Sequence, residues 1–204
     1  MRPSDAARLG VECFRPLLVS VFGVLGGRNS ADMSFEQFQR AIVSPALKNV
    51  AAHWNAARRD RLVPAWSDIR PAAIAPQLPI VWSYRFDWET GTFVGRLAGE
   101  KITRLIGKGF HGLPLSEACP KEEYPLLLER KRRVVAEPCL ARQQGIVYRQ
   151  ADRVGTGERI VLPLSDSRER ADGVLGATEY KITRRALTRE VHPANDAWEW
   201  FSLD

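Results

Sequence analysis

The sequence predicts an α+β fold, a five-stranded antiparallel sheet with helices on one face, preceded by an N-terminal amphipathic helix. Two adjacent strand patterns lie within residues 80–99, and residues 99–137 carry no strand pattern. Three further strand patterns begin at residue 139. A doubly wound fold would alternate strands with helices and place a glycine-rich phosphate loop after a strand, and the sequence has neither feature.

The composition is that of an ordinary globular protein. The 204 residues are 45% hydrophobic and 26% charged, and the net charge of +6 is spread too evenly to predict a nucleic-acid partner. Cys13, Cys119 and Cys139 are too far apart for a disulfide framework or a zinc ribbon, which indicates a reducing cytoplasm. The apolar run 17–27 is too short to span a membrane. We therefore expect a cytoplasmic protein without membrane contact.

The N-terminal part divides at Met33, which begins a natural opening for a helical protein. Residues 1–32 are interpreted as an extension that need not belong to the folded domain. Residues 33–62 form the amphipathic lead-in helix, in which Ser44 and Pro45 have the chemistry that restarts a helix. The apolar residues at helical spacing are Phe35, Phe38, Ile42, Leu47, Val50 and Trp54.

The first two strands are predicted as a hairpin joined by a WETG turn. The side chains of residues 80–87 point alternately to the two faces of the first strand. One face carries Ile80, Trp82, Tyr84 and Phe86. The partner strand places Phe93 and Leu97 on one face and Arg96 on the other. We place the domain at residues 63–183. Its first strand therefore has an aromatic face that can turn towards the core.

The middle and the end of the domain complete this plan. Residues 99–137 predict a short helix, a loop in which Gly107, Gly109 and Gly112 are free to take positive φ, and an amphipathic helix. Strands follow at 139–150, 158–166 and 173–182, with RVGTGE and RERADG as turns. The tail, residues 184–204, is charged and ends in aromatic residues, so it either packs on the domain or stays loose.

Several short motifs carry a family resemblance. They are Trp54 before a Pro-bounded connector, the sequence RLAG at the end of the second strand, and GKGFHGLPLSEA after the next helix. In this order they resemble a PAS domain, and more narrowly the short PAS-like proteins common in alphaproteobacteria, over residues 50–182. The resemblance implies a sensory or interaction module with a cavity between the sheet and its helices.

The resemblance and the strand pattern together select candidate residues. Trp82, Tyr84, Phe93 and Leu97 would face the cavity, either shaping a ligand pocket or filling a core, and His111 lies in the loop that flanks it. The candidates for an interaction surface are Trp54, Arg96, Trp198 and Trp200. The apolar face of the lead-in helix further suggests a homodimer.

The cofactor is unknown, and both haem and flavin are disfavoured. His111 could ligate haem iron, but a lone histidine in a loop is usually a hydrogen-bonded turn residue. A flavin photosensor of the light-oxygen-voltage type needs an Asn-Cys-Arg-Phe core, which SEACPKEEY does not provide. The RxxxR spacing of residues 149–153 matches a cyclic dinucleotide clamp, but the companion motif is missing. No metal site is predicted.

The first functional hypothesis is a cytoplasmic module that binds a small-molecule ligand, an unknown protein partner or both, with no output domain in the chain. A ligand-free adaptor that works through the outer sheet face and the aromatic tail is the alternative. A small enzyme would have to bring together distant groups such as His111, Cys119 and Asp166. The sequence shows no nucleophile elbow, His-Glu metal pair or carboxylate couple, so we expect no enzyme.

Overall fold

The computed structural model describes residues 30–150, 153–166, 170–184 and 197–203. The predicted extension 1–32 lies almost wholly outside these residues, as does most of the tail. The helices are α1 (Ser30–Ala41), α2 (Pro45–Arg58), α3 (Glu100–Ile106), α4 (Leu115–Ala118) and α5 (Tyr124–Ala136), with 3-10 helices at Trp66–Asp68 and Pro71–Ile80. The strands are β1 (Val81–Asp87), β2 (Thr92–Ala98), β3 (Cys139–Gln150), β4 (Arg153–Leu164), β5 (Gly173–Arg184) and β6 (Ala197–Ser202).

The strands form one antiparallel sheet in the order β2-β1-β5-β4-β3-β6. The α+β class is confirmed, and the predicted strands correspond to β1–β5. The prediction of five strands is wrong, because the tail supplies β6 along the outer edge of β3. This short strand has aromatic residues on both of its faces, and the ring of Phe201 packs 5.3 Å from that of Phe38 in α1. Burial of these rings explains why so short a segment joins the sheet.

The second difference concerns RVGTGE, which is the first half of β4 and not a turn. Its glycines serve close packing between strands. A Cβ atom on Gly157 would collide with the carbonyl oxygen of Glu179 in β5, and one on Gly155 would lie 3.0 Å from the Cβ of Tyr148 in β3. Glycine in a strand often marks such a close approach of a neighbouring strand, and here the sequence pattern resembled a turn.

Both faces of the sheet are covered by helices. As predicted, α3, α4 and α5 gather on one face, where they pack on an aromatic cluster that includes Trp82 and Phe93. The lead-in helices α1 and α2 cover the opposite face, which carries Leu140, Ile160 and Leu162. The central strands are apolar on both sides because both sides are buried.

The predicted lead-in helix is split in two at residues 42–44. Ser44 caps α2 as the sequence indicated, since its hydroxyl oxygen accepts a hydrogen bond from Leu47 N at 3.2 Å, and Pro45 follows at the first helical position. Trp54 is fully buried, and its indole Nε1 donates to the carbonyl oxygen of Pro163 in β4 at 2.8 Å. Trp54 is therefore a core residue and not part of an interaction surface. The same burial means that the apolar face of α2 is not free to form a homodimer.

A β-bulge changes the predicted faces of β2. Ser83 pairs with Leu97 and Tyr84 pairs with Gly95, so Arg96 is the extra residue and the side-chain alternation shifts by one. Phe93 is fully buried, whereas Leu97 is 48% exposed. The prediction that these two residues share the cavity face is wrong for Leu97, because the alternation rule holds only along an unbroken ladder.

Candidate functional site

A cavity of about 280 Å³ lies between the sheet and α3, α4 and α5. Its floor is formed by side chains of β1, β3, β4 and β5, and its roof by apolar side chains of the three helices. The roof includes Ile102, Ile106, Leu115, Leu126 and Leu127. The volume lies just below the range usual for pockets that hold drug-sized ligands, so the space suits a smaller molecule.

The loop between α3 and α4 closes one end of this cavity. Gly107 ends α3 with a φ of 73°, and Gly112 turns the loop with a φ of 75°. Between them Phe110 points inwards, held by hydrogen bonds that join the loop to Gly95 of β2. A Cβ atom on Gly95 would collide with the carbonyl oxygen of Phe110, so this close approach requires glycine.

The floor of the cavity is aromatic. The rings of Trp82 and Tyr84 meet edge to face at 5.7 Å, and Phe110 meets Tyr84 at 4.9 Å. The indole of Trp82 lies over Gly176 of β5, where a Cβ atom would collide with the ring. Its Nε1 donates to the hydroxyl oxygen of Thr178 at 2.8 Å. The floor is therefore fixed in position by its own hydrogen bond and by the glycine beneath it.

Lys131 of α5 is the most unusual side chain in the cavity, because it is only 5% exposed. Its ammonium nitrogen lies 5.3 Å from the ring centre of Trp82 and 5.8 Å from that of Tyr84. Within the described residues it has neither a hydrogen-bond acceptor nor a paired carboxylate. Burial, reinforced by the nearby Arg159 cation, lowers the pKa of Lys131 to about 7.

Arg159 of β4 places a second cation in the same cavity. Its Nε donates to the hydroxyl oxygen of Thr178 at 3.1 Å, its Nη1 to Gln143 Oε1 at 3.3 Å, and its Nη2 to the carbonyl oxygen of Val147. Gln143 is oriented in turn, since its Nε2 donates to the carbonyl oxygen of Ile146 at 2.6 Å. The guanidinium is therefore held at the floor by neighbouring strands.

The hydroxyl group of Tyr84 adds a neutral donor to the cavity wall. Tyr84 is buried, and in the described part of the chain its hydroxyl has no hydrogen-bond partner. Burial raises the pKa of Tyr84, so the phenol keeps its proton at physiological pH. A hydroxyl and an ammonium, each on a buried residue and each without a hydrogen-bond partner among the described residues, thus point into one cavity. Both are groups that usually find a partner in a folded protein.

The structure brings only some of the predicted pocket residues to the cavity. Trp82 and Tyr84 line it. Phe93 lies behind them in the core, 4.6 Å from the ring of Phe86. Leu97 is on the other face, and His111 is exposed, with its Nδ1 3.0 Å from the carbonyl oxygen of Arg96. His111 therefore faces away from the cavity and does not point an imidazole at a bound group there.

The remaining interaction-surface candidates pack largely against the chain itself. The guanidinium of Arg96 lies 4.1 Å from the ring centre of Trp66 and pairs with Asp166 at 3.3 Å. Trp198 and Trp200 stack on each other at 5.6 Å and are half-buried. The guanidiniums of Arg130 and Arg133 in α5 lie over their rings, at 4.7 Å and 4.4 Å. Their role in partner binding stays a prediction.

Sequence reasoning missed the two cations of the cavity. Lys131 belongs to a basic run in α5, yet it lies four residues after Leu127 and three before Val134, on the apolar stripe of this amphipathic helix. Arg159 lies two residues before the buried Val161, at an inward position of its strand. The spacing of these two charges relative to apolar neighbours was the signal that could have found them.

The groups named for catalysis are not assembled at one site. Cys119 lines the cavity, where its thiol donates to the carbonyl oxygen of Leu115 at 3.1 Å, and burial raises its pKa, which keeps it a thiol. His111 and Asp166 instead contact Arg96, outside the cavity. No cluster of three His, Cys, Asp or Glu side chains suited to a metal occurs among the described residues. None of the helices described is long and apolar enough to cross a membrane.

Comparison with known proteins identifies a family. A family model described as a PAS domain matches residues 42–179, which is more than half of the chain and includes the sheet strands β1–β4, most of β5, and every wall of the cavity. No curated protein and no solved structure matches the sequence.

Proposed function

The chain belongs to the PAS domain family, a family of sensory and signalling modules, and we propose that it senses a small molecule bound in the cavity under α3–α5. The observation that carries this proposal is the buried residue Lys131, whose ammonium opens onto the cavity. A cavity that merely interrupts a core is normally apolar, because an unpaired buried charge costs several kcal/mol or more.

Core packing alone gives no reason for this lysine. Leucine or methionine at position 131 would continue the apolar stripe of α5 and fill part of the 280 Å³ space. The floor is also held in place by hydrogen bonds before any ligand arrives, through Trp82, Thr178 and Arg159. Preorganised polar groups in an apolar pocket are the usual features of a small-molecule site.

A route from the cavity to the opposite face of the sheet runs through neighbouring residues in three strands. Gln143, Arg159 and Thr178 border the cavity. The residues next to them in sequence, Arg142, Glu158 and Glu179, form hydrogen bonds on the opposite face.

That opposite network holds the start of α2. The carboxylate of Glu158 accepts the backbone N–H groups of Val43, at 3.0 Å and 3.1 Å, and of Ser44, at 2.7 Å. The hydroxyl of Ser44 donates to Glu179. A ligand that shifts Arg159 would therefore also shift its neighbour in sequence, Glu158, which accepts the backbone N–H of the cap residue Ser44. We place the output of the module at α1 and α2, where a protein partner would detect the change.

The experiment that tests the proposal is native mass spectrometry of the protein purified without denaturation from its own host or a close surrogate. We expect a stoichiometric mass surplus that disappears on denaturation. Hydrogen exchange of the loaded and stripped protein should then differ at the Val43 and Ser44 amides, because both donate to Glu158. A chain of unaltered mass in every preparation, with identical exchange after incubation with host metabolites, would contradict a ligand sensor.

Three earlier predictions stay open beside this proposal. They are the cytoplasmic location, a homodimer and a ligand-free adaptor. The adaptor has less support from the structure than from the sequence, because Trp198 and Trp200 pack on α5 and Trp54 is in the core. Deleting the tail would not test it cleanly, since that deletion also removes β6 and the fully buried Leu203.

A further inference from the structure

The chemistry of the cavity wall narrows the class of ligand. We infer that the cavity binds a small organic anion, a monocarboxylate with an aromatic or otherwise flat apolar body, whose carboxylate is bound by Lys131 and Tyr84. This inference rests on the proposed function and adds to it the identity of the ligand class. It is carried by the polar groups of two buried residues, which open onto the cavity and have no hydrogen-bond partner in the described part of the chain.

The charges of the wall favour an anion. The cationic side chains on it are Arg130, Lys131, Arg149 and Arg159. Among the described residues its one carboxylate is Glu123, which lies 3.6 Å from Arg149 Nε and does not pair with Lys131. A neutral ligand would leave the Lys131 ammonium desolvated without a counter-charge, whereas a carboxylate would provide both the charge and the acceptor atoms.

The hydroxyl of Tyr84 supports the same class. A phenol that keeps its proton donates one hydrogen bond, and a carboxylate oxygen is a strong acceptor for it. Lys131 and Tyr84 are close, since the ammonium is 5.8 Å from the ring centre of Tyr84. One carboxylate has two oxygens and can accept from both groups, which a single neutral acceptor does less well.

The rest of the wall limits the ligand to one small charged group. Trp82, Tyr84 and Phe110 give a flat aromatic surface, and the helices above add aliphatic side chains. Inorganic phosphate would leave this surface without a contact, and a polyanion would have to bury further charges against it. The volume of about 280 Å³ suits a single ring with a short substituent.

The contrast with another buried cation shows that the lack of a carboxylate partner, among the described residues, is specific to the cavity. Arg142, on the opposite face, is paired with Glu158 at 2.5 Å and with Glu199 at 2.9 Å. The chain therefore supplies carboxylates where a buried cation only has to be neutralised. At Lys131 it supplies aromatic rings, which attract a cation but leave its hydrogen-bond donors unused.

The inference is tested with benzoate and benzamide, two probes of nearly the same shape that differ in charge. The full-length protein, stripped of any bound molecule, is titrated with each probe by isothermal calorimetry at pH 6.5. We expect benzoate to bind about tenfold more tightly than benzamide or better, because a charge-assisted hydrogen bond is stronger than a neutral one. Equal affinities, or tighter binding of benzamide, would overturn the inference.

Variants then assign the effect to a residue. Lys131→Met should weaken benzoate binding about tenfold or more and leave benzamide binding within about twofold, because only the charge contact is lost. Lys131→Arg should retain part of the preference for benzoate. Arg132→Met is the matched control, since Arg132 is the exposed neighbour on the same helix, and it should behave like the wild type. Unchanged benzoate affinity in Lys131→Met would overturn the inference.

Failure of this inference can be told apart from failure of the proposed function. If benzamide binds as well as benzoate, the cavity is a ligand site but not an anion site. If neither probe binds, the molecule found by native mass spectrometry decides. A co-purified carboxylate supports the inference, and a neutral molecule overturns it. A cavity that is empty in both experiments contradicts the sensor as well.

Discussion

The two faces of the sheet each bury a polar cluster, and the clusters differ in how they are neutralised. On the side of α1 and α2, the guanidinium of Arg142 is surrounded by acceptors from Glu158, Gln144 and Glu199. On the side of α3–α5, the ammonium of Lys131 lies over Trp82 and within the described residues has no such acceptor. We call Arg142 with these three acceptors the closed cluster, and Lys131 with Trp82 and Tyr84 the open cluster.

The difference between the two clusters shows how a charge buried for the stability of the fold can be told apart from one buried for binding. In the closed cluster Glu158 neutralises Arg142 and also accepts the backbone N–H groups that begin α2, so each member has a role in the fold. In the open cluster the described residues leave hydrogen-bond donors without acceptors beside the cavity. A cluster completed by the chain stabilises the fold, and a cluster completed only by another molecule is a binding site.

The largest expected effect of a single substitution is in the closed cluster. Arg142→Met should lower the free energy of unfolding by about 3–5 kcal/mol, because it leaves the Glu158 carboxylate buried without its cation. Urea denaturation followed by circular dichroism measures this. Arg104→Met is the control, since its pair with Glu100 is exposed, and the change should stay below about 0.5 kcal/mol.

An equal, small effect of both substitutions would show that the closed cluster does not hold the fold. Glu158→Gln combined with Arg142→Met provides a further check. The double variant should recover part of the loss, because the amide keeps an acceptor for Ser44 N and carries no charge to leave unpaired.

The second effect has the opposite sign and belongs to the open cluster. Lys131→Met should raise the free energy of unfolding of the ligand-free protein by about 1–4 kcal/mol, because it removes a desolvated charge from an apolar site. Thermal and urea unfolding of stripped protein measure it. A clear loss of stability would mean that Lys131 has a structural partner, and the distinction between the two clusters would fail.

The third effect is the pH dependence of the difference in unfolding free energy between Lys131→Met and the wild type. The pKa of Lys131 is about 7 in the folded state, below the usual value of about 10.4 for an unfolded chain, so the unfolded state holds more protons between these values. The penalty from Lys131 is therefore complete below pH 7 and fades as the pH rises towards 10. We expect the stability advantage of Lys131→Met to be largest near pH 6 and to shrink by pH 9.

The affinity for benzoate should change in the same interval, falling as the pH rises through 7 and the ammonium loses its proton. The other charged and titratable groups that line the same cavity are Tyr84, Cys119, Glu123, Arg130, Tyr148, Arg149 and Arg159. Burial raises the pKa of both Tyr84 and Cys119, which places their titration above that of Lys131. A benzoate affinity that does not vary from pH 6 to pH 9 would show that Lys131 does not bind the carboxylate.

The smallest effects are expected outside both clusters. Leu97→Ser and His111→Ala should each change the free energy of unfolding by less than about 0.5 kcal/mol, because both side chains are exposed. Benzoate affinity should not change in either variant. Loss of benzoate binding in His111→Ala would show that His111 contributes to the binding site, and that the open cluster includes the loop between α3 and α4.

Much of the fold could be predicted from sequence because it depends on local patterns. Alternation identified β1 and the aromatic floor at Trp82 and Tyr84, and the Ser44-Pro45 pair correctly marked the restart of a helix. The glycines at 107 and 112 take positive φ as expected, whereas Gly109 does not. These features follow from the chemistry of a few consecutive residues.

The errors arose where distant parts of the chain decide the structure. The bulge at Arg96 depends on how β2 pairs with β1, and the glycines of β4 depend on contacts with both neighbouring strands. β6 forms because Phe201 reaches α1. The open cluster combines residues from β1 and α5, so its chemistry appears only once the helix is placed over the sheet.

The central claim is that the open cluster exists to bind a ligand anion. It is tested most directly by native mass spectra of the wild type and Lys131→Met, purified side by side without denaturation. We predict a stoichiometric mass surplus, from a carboxylate, on the wild type and a bare chain for the variant, which should also be the more stable of the two once the wild type is stripped. The same surplus on both proteins, or on neither, would contradict the claim.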